Sequence, residues 1–205
     1  PAEYGGQGAD ALSCHLVMEE FATECSNSAH ALADHWLAMH PLQLGGSEEQ
    51  KKRWLSELAE QGQFYAYGAT EPQAGSDVGA ARAQARKQPD GTYKLKGTKM
   101  FITQGSVGGV YVILAVTDKG KGKDGVTAFA VPAGTKGLAV GRTLHKLGMR
   151  SSDTAELVFE DLEVGPDAVV GQVNSGFRDT MKNLAGGRIS IAALSTGIGL
   201  GAMEE

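Results

Sequence analysis

The spacing of the apolar residues changes twice along the 205 residues, and these changes constrain the fold more than any other feature. Apolar residues recur at helical spacing before Gly62, in short strand-like runs from Phe64 to Val170, and again at helical spacing from Phe177 onward. The order predicts an α+β protein with domains over residues 1–65, 66–170 and 171–205.

Two helices are predicted at the start of the chain. Asp10 is a suitable N-cap for the first helix, whose helical repeat is formed by Leu12, Leu16, Val17 and Phe21. The second helix is predicted over Ser28 to Met39, because Pro41 removes a backbone donor and is expected to end it.

A third helix is predicted to begin at Ser47, which forms a capping box with Gln50, and to end at Gly62. The residues that we expect it to bury are Trp54, Leu55 and Leu58.

The middle of the chain reads as short strands separated by turn residues. Pro89-Asp90-Gly91 is typical of a hairpin turn, here between strands over 81–87 and 92–96. The further strands are expected over 110–116, 126–131, 138–144 and 155–162. This pattern predicts a small β-barrel or sandwich. The basic tract over 119–123 alternates lysine with glycine, which favours a solvated loop over a phosphate-binding patch.

The last segment is predicted to be a long helix, with apolar residues at Phe177, Met181, Leu184, Ile189 and Ala192. We expect this helix to lack a partner within the chain and to pack against helices outside it. Because the chain begins with Pro1 and stops at Glu205 without a cap, we expect both ends to be cut.

Composition narrows the function classes. A net charge of −5 gives no broad attraction to nucleic acid, and no apolar run is long enough to cross a bilayer. Cys14 and Cys25 are expected to be reduced packing thiols, which suits an intracellular compartment. The five histidines show no metal-ligand spacing, so no metal is expected.

Two segments carry groups suited to an anionic heteroaromatic ligand. Tyr67-Gly68-Ala69-Thr70-Glu71-Pro72-Gln73-Ala74-Gly75-Ser76-Asp77 sets a hydroxyl and a Gly-Ser step directly after a short aromatic strand. Met100-Phe101-Ile102-Thr103 then sets an aromatic ring beside a second threonine at a strand end. A threonine alone would be an ordinary strand residue, but the two segments together predict a binding site.

These segments resemble the flavin-binding strands of the acyl-CoA dehydrogenase family. The resemblance runs through the chain in the family's order and includes 1–6, 146–150, 154–161 and 187–189. It implies an N-terminal helical domain, a middle β domain and the first helix of a C-terminal four-helix bundle. It also implies FAD-dependent removal of hydrogen from Cα and Cβ of an acyl-CoA thioester.

The resemblance assigns the first segment to FAD. Thr70 would bond the pyrimidine side of the isoalloxazine, with Tyr67 and Ala69 on the same strand. Ser76, after Gly75, would reach the pyrophosphate and lie near the entering acyl-CoA. Many family members carry a larger aliphatic residue where Ala69 stands.

The second segment would complete the flavin site. Thr103 would approach N5 of the flavin, Phe101 would stack on the ring away from substrate, and Ile102 belongs to the same segment. Many members have tryptophan where Phe101 stands, and a phenyl ring covers less of the flavin. Glu71 and Asp77 are interpreted as turn and strand-end residues, because Pro72 and Gly75 mark a tight loop.

No catalytic base is expected in this chain. Most members of the family place a glutamate base far into the C-terminal domain, which would lie beyond Glu205, and a minority place it directly before an arginine. Here Gly187 precedes Arg188 and has no side chain. Arg188 would hold the CoA portion of the substrate, although a salt bridge from Arg188 to the β domain is a competing interpretation. Ala185 stands where the family often has an aspartate.

The resemblance further implies an electron-transfer flavoprotein as electron acceptor and a homotetramer, in bacterial cytoplasm or mitochondrial matrix. Two alternatives remain open from the sequence: a flavin-dependent oxidase or monooxygenase of the same fold, and a truncated, non-catalytic module.

Overall fold

A computed structural model describes residues 1–204 and contains a helical region, a mixed β-sheet and a long final helix. The helices are α1 (Ala11–Glu24), α2 (Ser26–Gly45), α3 (Glu48–Gln61) and α4 (Gly176–Glu204). The strands are β1 (Phe64–Gly68), β2 (Gln84–Lys87), β3 (Tyr93–Thr103), β4 (Gly108–Val116), β5 (Val126–Pro132), β6 (Leu138–Thr143), β7 (Thr154–Val164) and β8 (Val169–Val170). The predicted α+β class and order of elements are confirmed.

The helix ends predicted from local signals are present. The Asp10 side chain accepts from the Ser13 N–H at 2.8 Å and caps α1. Both bonds of the capping box between Ser47 and Gln50 form, at 3.2 and 2.9 Å. Gly62 ends α3 with φ of 64°, in the left-handed region that favours glycine.

The prediction that α2 ends before Pro41 is wrong, because the helix continues to Gly45. Proline has no N–H, so the Leu37 carbonyl loses its usual helical partner. The Asn183 amide of α4 donates to that carbonyl at 2.9 Å. Asn183 is 1% exposed and also contacts His40 Nδ1 at 3.0 Å. A side chain from another helix therefore satisfies the group that the proline frees.

The predicted stripe of α1 marks the helix but lies on its outer face, where Leu12 is 66% and Leu16 is 56% exposed. The buried residues of α1 are Met18 and Ala22, which form a cluster with Leu194 of α4. The expectation that α4 lacks a partner within the chain is therefore wrong, since it packs on α1 and α2.

The strands form one sheet in the order β6-β7-β3-β2-β4-β5-β8, with β1 added in parallel to β4. The β2–β3 hairpin is antiparallel, as its turn residues predict. Residues of β3 and β7 share one buried cluster with residues of β4 and β5, so the sheet folds over onto itself. The opposite face of β1, β4 and β5 packs on α2 and α3 in a second cluster.

Within residues 1–204, no helix combines the length and the apolar character needed to cross a membrane. The predicted boundaries of the three domains stay a prediction.

Candidate functional site

The loop after β1 is closed by two backbone bonds and then exposes a row of donors. Glu71 and Ala74 bond each other's backbone N–H and C=O groups at 3.0 Å, which makes a tight turn around Pro72. Beyond the turn, Gly75, Ser76 and Asp77 are exposed. No acceptor within residues 1–204 receives their backbone N–H groups. A Cβ added to Gly75 would meet no atom within 4 Å, so open space adjoins these donors.

A positive charge and a helix N-terminus lie close to this loop. A Cβ at Gly79 would lie 3.4 Å from Lys123 Cβ and 3.7 Å from Phe177 Cε2. The Lys123 ammonium sits 5.4 Å from the centre of the Phe177 ring, in the first turn of α4. Free N–H groups, a lysine and the positive end of a helix favour a negatively charged ligand.

The second predicted segment forms a bulge at the end of β3. Lys99 pairs with Leu157 and Ile102 pairs with Ala155, so two residues of β3 oppose one residue of β7. The bulge places Phe101 at φ of 57°, which is rare for a bulky residue, and leaves its side chain 62% exposed. Such strained positions concentrate at functional sites.

The structure joins the two segments that the sequence singled out. The Met100 N–H, in the bulge, donates to the Thr70 carbonyl at 2.9 Å. The Thr70 N–H has no acceptor within residues 1–204. Thr103 pairs with Thr154 of β7 and is half-buried. Free donors of the first segment and the exposed ring of the second thus belong to one region of the surface.

The side chains of two other predicted site residues, Ile102 and Tyr67, are directed into the protein and away from the candidate site. The Ile102 side chain is 1% exposed and packs in the core inside the sheet, so only its backbone could meet a ligand. The Tyr67 hydroxyl bonds Thr180 Oγ1 of α4 at 2.7 Å. Burial raises the pKa of Tyr67 to about 12, although the bonds to Thr180 and Asn183 act against it. Tyr67 therefore fixes β1 to α4 as a neutral phenol.

Behind the loop lies a buried ion pair that the sequence analysis missed. Lys99 Nζ lies 2.7 Å from Glu71 Oε1, with the two side chains 0% and 3% exposed. The same ammonium donates to the Ala69 carbonyl at 3.1 Å. The Glu71 carboxylate also accepts from the Arg82 N–H at 2.7 Å and the Ala83 N–H at 3.0 Å. Glu71 is part of a turn through its backbone, as predicted. Its carboxylate has a second role in the buried ion pair, which the sequence did not reveal.

Burial and the charge of the partner shift the pKa of each residue of this pair in opposite directions. Burial would raise the pKa of Glu71, but the Lys99 ammonium and the backbone donors outweigh it and hold that pKa below its ordinary value. Burial lowers the pKa of the Lys99 ammonium against the attraction of the carboxylate. A signal existed in the sequence, because strand alternation places Lys99 on the same face as Tyr93 and Leu95.

Gly187, where a minority of the family would place the base, and Arg188, the predicted CoA contact, both lie on α4. A Cβ at Gly187 would lie 3.0 Å from Leu37 Cδ1, so this position faces α2. Arg188 is exposed and forms no ion pair within residues 1–204. The competing interpretation of Arg188 as a salt bridge to the β domain is therefore wrong.

The donors present fit FAD. Free N–H groups and Ser76 suit a pyrophosphate, the free Thr70 N–H suits a ring carbonyl oxygen, and the exposed Phe101 ring offers a stacking surface. Within residues 1–204, no group of three histidine, cysteine or acidic side chains is arranged to hold a metal.

Comparison with known proteins identifies the family of the chain. The acyl-CoA dehydrogenase N-terminal domain matches residues 1–62, and the acyl-CoA dehydrogenase middle domain matches residues 66–162. The chain belongs to the acyl-CoA dehydrogenase family. This is a flavin-dependent family.

Its relatives are longer than the chain. The short-chain specific acyl-CoA dehydrogenase of Clostridium acetobutylicum is 43% identical over 99% of this chain and 54% of its own length. The butyryl-CoA dehydrogenase structure from Megasphaera elsdenii superposes with a TM-score of 0.96 at 39% identity, over 100% of this chain and 54% of that one. A chain from a structure of the electron transferring flavoprotein of Acidaminococcus fermentans gives the same TM-score at 40% identity and the same coverage. The chain thus spans about half the length of the relatives that it matches.

Proposed function

We propose that this chain carries the FAD-binding half of an acyl-CoA dehydrogenase. One observation carries the proposal: unpaired backbone donors at Thr70 and over 75–77 are joined through the Met100 bond to an exposed aromatic ring on a strained bulge. A solvated turn alone would not explain why Phe101 is held at φ of 57° with its ring in solvent. Membership of the family supports the same conclusion.

The chain's own residues bind and orient. The Thr70 N–H and hydroxyl would donate to the pyrimidine side of the ring, Ser76 and its neighbouring N–H groups would hold the pyrophosphate, and Phe101 would cover one ring face. The Thr103 hydroxyl would lie near N5 of the flavin. Bound FAD would supply the acceptor for the hydride that leaves Cβ of the acyl group.

The α proton must leave to a base. Gly187, which precedes the exposed Arg188, offers no side chain for this role. We therefore place the carboxylate base outside residues 1–205. The exposed guanidinium of Arg188 would bind the CoA portion of the substrate.

The substrate class is an acyl-CoA thioester, and butyryl-CoA is the first compound to test because the relatives include short-chain and butyryl-CoA dehydrogenases. The electron acceptor that we propose is an electron-transfer flavoprotein, and the proposed assembly is a homotetramer.

The test is anaerobic. The full-length protein should purify with one FAD per chain, and its visible flavin absorbance should bleach when butyryl-CoA or a longer acyl-CoA is added. Ser76→Ala should raise the Kd for FAD several-fold, because one hydrogen bond to the pyrophosphate is lost. Ser151→Ala, an exposed serine outside the loop, is the matched control and should leave the Kd unchanged.

Two outcomes would contradict the proposal. Absence of bound flavin after reconstitution with FAD would remove the cofactor assignment. Bleaching followed by rapid, stoichiometric peroxide release on exposure to air would favour an oxidase over a dehydrogenase.

A further inference from the structure

The side chains of Lys99 and Glu71 are buried behind the candidate FAD site, so neither can contact a bound ligand directly. Both are buried, and an ion pair in a protein interior is weak support for stability, because desolvation of two charges offsets much of their attraction. An apolar pair of similar volume would fill the same space. The position of the pair in the chain points to a different role.

Each partner lies next to a residue of the proposed FAD site. Glu71 directly follows Thr70, and Lys99 directly precedes the Met100-Phe101 bulge. The two side chains therefore tie together segments that lie 28 residues apart in sequence. The hydrogen bond from the Met100 N–H to the Thr70 carbonyl joins the same two segments.

The second contact of the Lys99 ammonium, with the Ala69 carbonyl, sets the direction of a peptide group. The ammonium holds the Ala69 carbonyl on the buried side at 3.1 Å. The Ala69–Thr70 peptide is planar and trans, so its C=O and N–H point in opposite directions. The Thr70 N–H is therefore directed away from the buried pair, and it has no protein acceptor within residues 1–204.

Glu71 in turn holds Lys99. Its carboxylate is anchored by the Arg82 and Ala83 N–H groups and by the Gln73 side chain, which donates at 2.6 Å. With these bonds the carboxylate cannot turn away, and the ammonium is held between it and the Ala69 carbonyl.

We propose that Lys99, held by Glu71, is a positioning residue that fixes the Ala69–Thr70 peptide so that its N–H faces the flavin. This inference rests on the proposed function. It assigns the pair to preorganisation of the FAD site, beyond any contribution to folding.

The test separates positioning from stability with a single and a double variant, compared with a control on the same strand. Lys99→Met removes the ammonium and leaves Glu71 buried alone, so both stability and FAD affinity should fall. The double variant Glu71→Gln with Lys99→Met has no uncompensated charge, so its resistance to urea should recover toward the wild type. Its Kd for FAD should stay about tenfold above the wild-type value, which is the loss of one hydrogen bond worth about 1.4 kcal/mol.

The control is Lys96→Met on the same strand, where the lysine is 73% exposed and lies 3.9 Å from Glu160. It should change neither quantity. Kd is measured by flavin fluorescence with the full-length apoprotein, and urea unfolding is followed by circular dichroism. Hydrogen exchange gives an independent readout, since FAD should protect the Thr70 N–H in the wild type and leave it unprotected in the double variant.

A purely structural role predicts that the double variant recovers stability and FAD affinity together, and that result would overturn the inference. Should the double variant fail to fold, Glu71→Gln alone decides, because it keeps the Lys99 donor to Ala69. It should then bind FAD more tightly than Lys99→Met, and equal losses would overturn the inference. A wild-type protein that binds no FAD would overturn the proposed function as well, so the two failures are distinguishable.

Discussion

The close crossing of α1 and α4 provides the sharpest test of the packing. A methyl group added at Gly197 would lie 2.7 Å from the Ala22 Cβ and 3.0 Å from the Glu19 carbonyl carbon. Ordinary contact begins at 3.4 Å. Glu19 presents backbone, which cannot rotate aside as a side chain can. Gly199 lies on the same helix two residues further on, and a methyl group there would meet no atom within 4 Å.

The two substitutions therefore share one effect and differ in another. Replacing glycine by alanine inside a helix stabilises it by about 1 kcal/mol, which applies to both positions. Overpacking a filled site costs about 1–3 kcal/mol or more, which applies to Gly197 alone. Since the obstruction at Gly197 is backbone, we take the upper part of that range and expect Gly197→Ala to lower the free energy of unfolding by about 1–2 kcal/mol. Gly199→Ala should raise it by about 1 kcal/mol.

The measurement is urea unfolding of both variants beside the wild type, followed by circular dichroism. A gap of about 2–3 kcal/mol between the variants corresponds to about 4–12 °C in Tm for a protein of this size. The shared effect of helix propensity cancels in that gap. Equal stability of the two variants would refute the close approach of α1 and α4 at Gly197.

Two further predictions concern contacts between α4 and the rest of the chain. Asn183→Ala should lower the free energy of unfolding, measured in urea, by about 1–3 kcal/mol, because the Leu37 carbonyl stays buried and loses its partner. The control is Lys182→Ala, at an exposed position of the same helix. An equal loss in the two variants would contradict the role of Asn183. Tyr67 has a folded-state pKa of about 12 against an ordinary value of 10, so its contribution to stability should be complete below pH 10 and lost as pH rises from 10 toward 12. An ultraviolet titration of wild type against Tyr67→Phe should show no phenolate from Tyr67 near pH 10, and a normal titration there would contradict its burial.

Local chemistry in the sequence determined the ends of several elements. The caps at Asp10, Ser47 and Gly62 form as predicted, because each cap satisfies backbone groups within the adjacent turn. The β2–β3 hairpin follows from Asp90 and Gly91 for the same reason. The two segments proposed to bind the ligand could likewise be singled out from residue types and order alone, and the roles of their residues stay predictions.

Distant parts of the chain decided what the sequence analysis got wrong or missed. Pro41 would end a helix in isolation, but Asn183, 146 residues from Leu37, supplies the missing donor and α2 continues. Helical periodicity located α1, yet the crossing with α4 decided that Met18 and Ala22 face inward. Strand alternation places Lys99 on the inward face, but only the fold brings Glu71 to 2.7 Å and the Ala69 carbonyl to 3.1 Å of the ammonium, which offsets the cost of burying its charge. Burial and satisfaction of polar groups depend on partners far along the chain, and the tertiary structure alone brings those partners together.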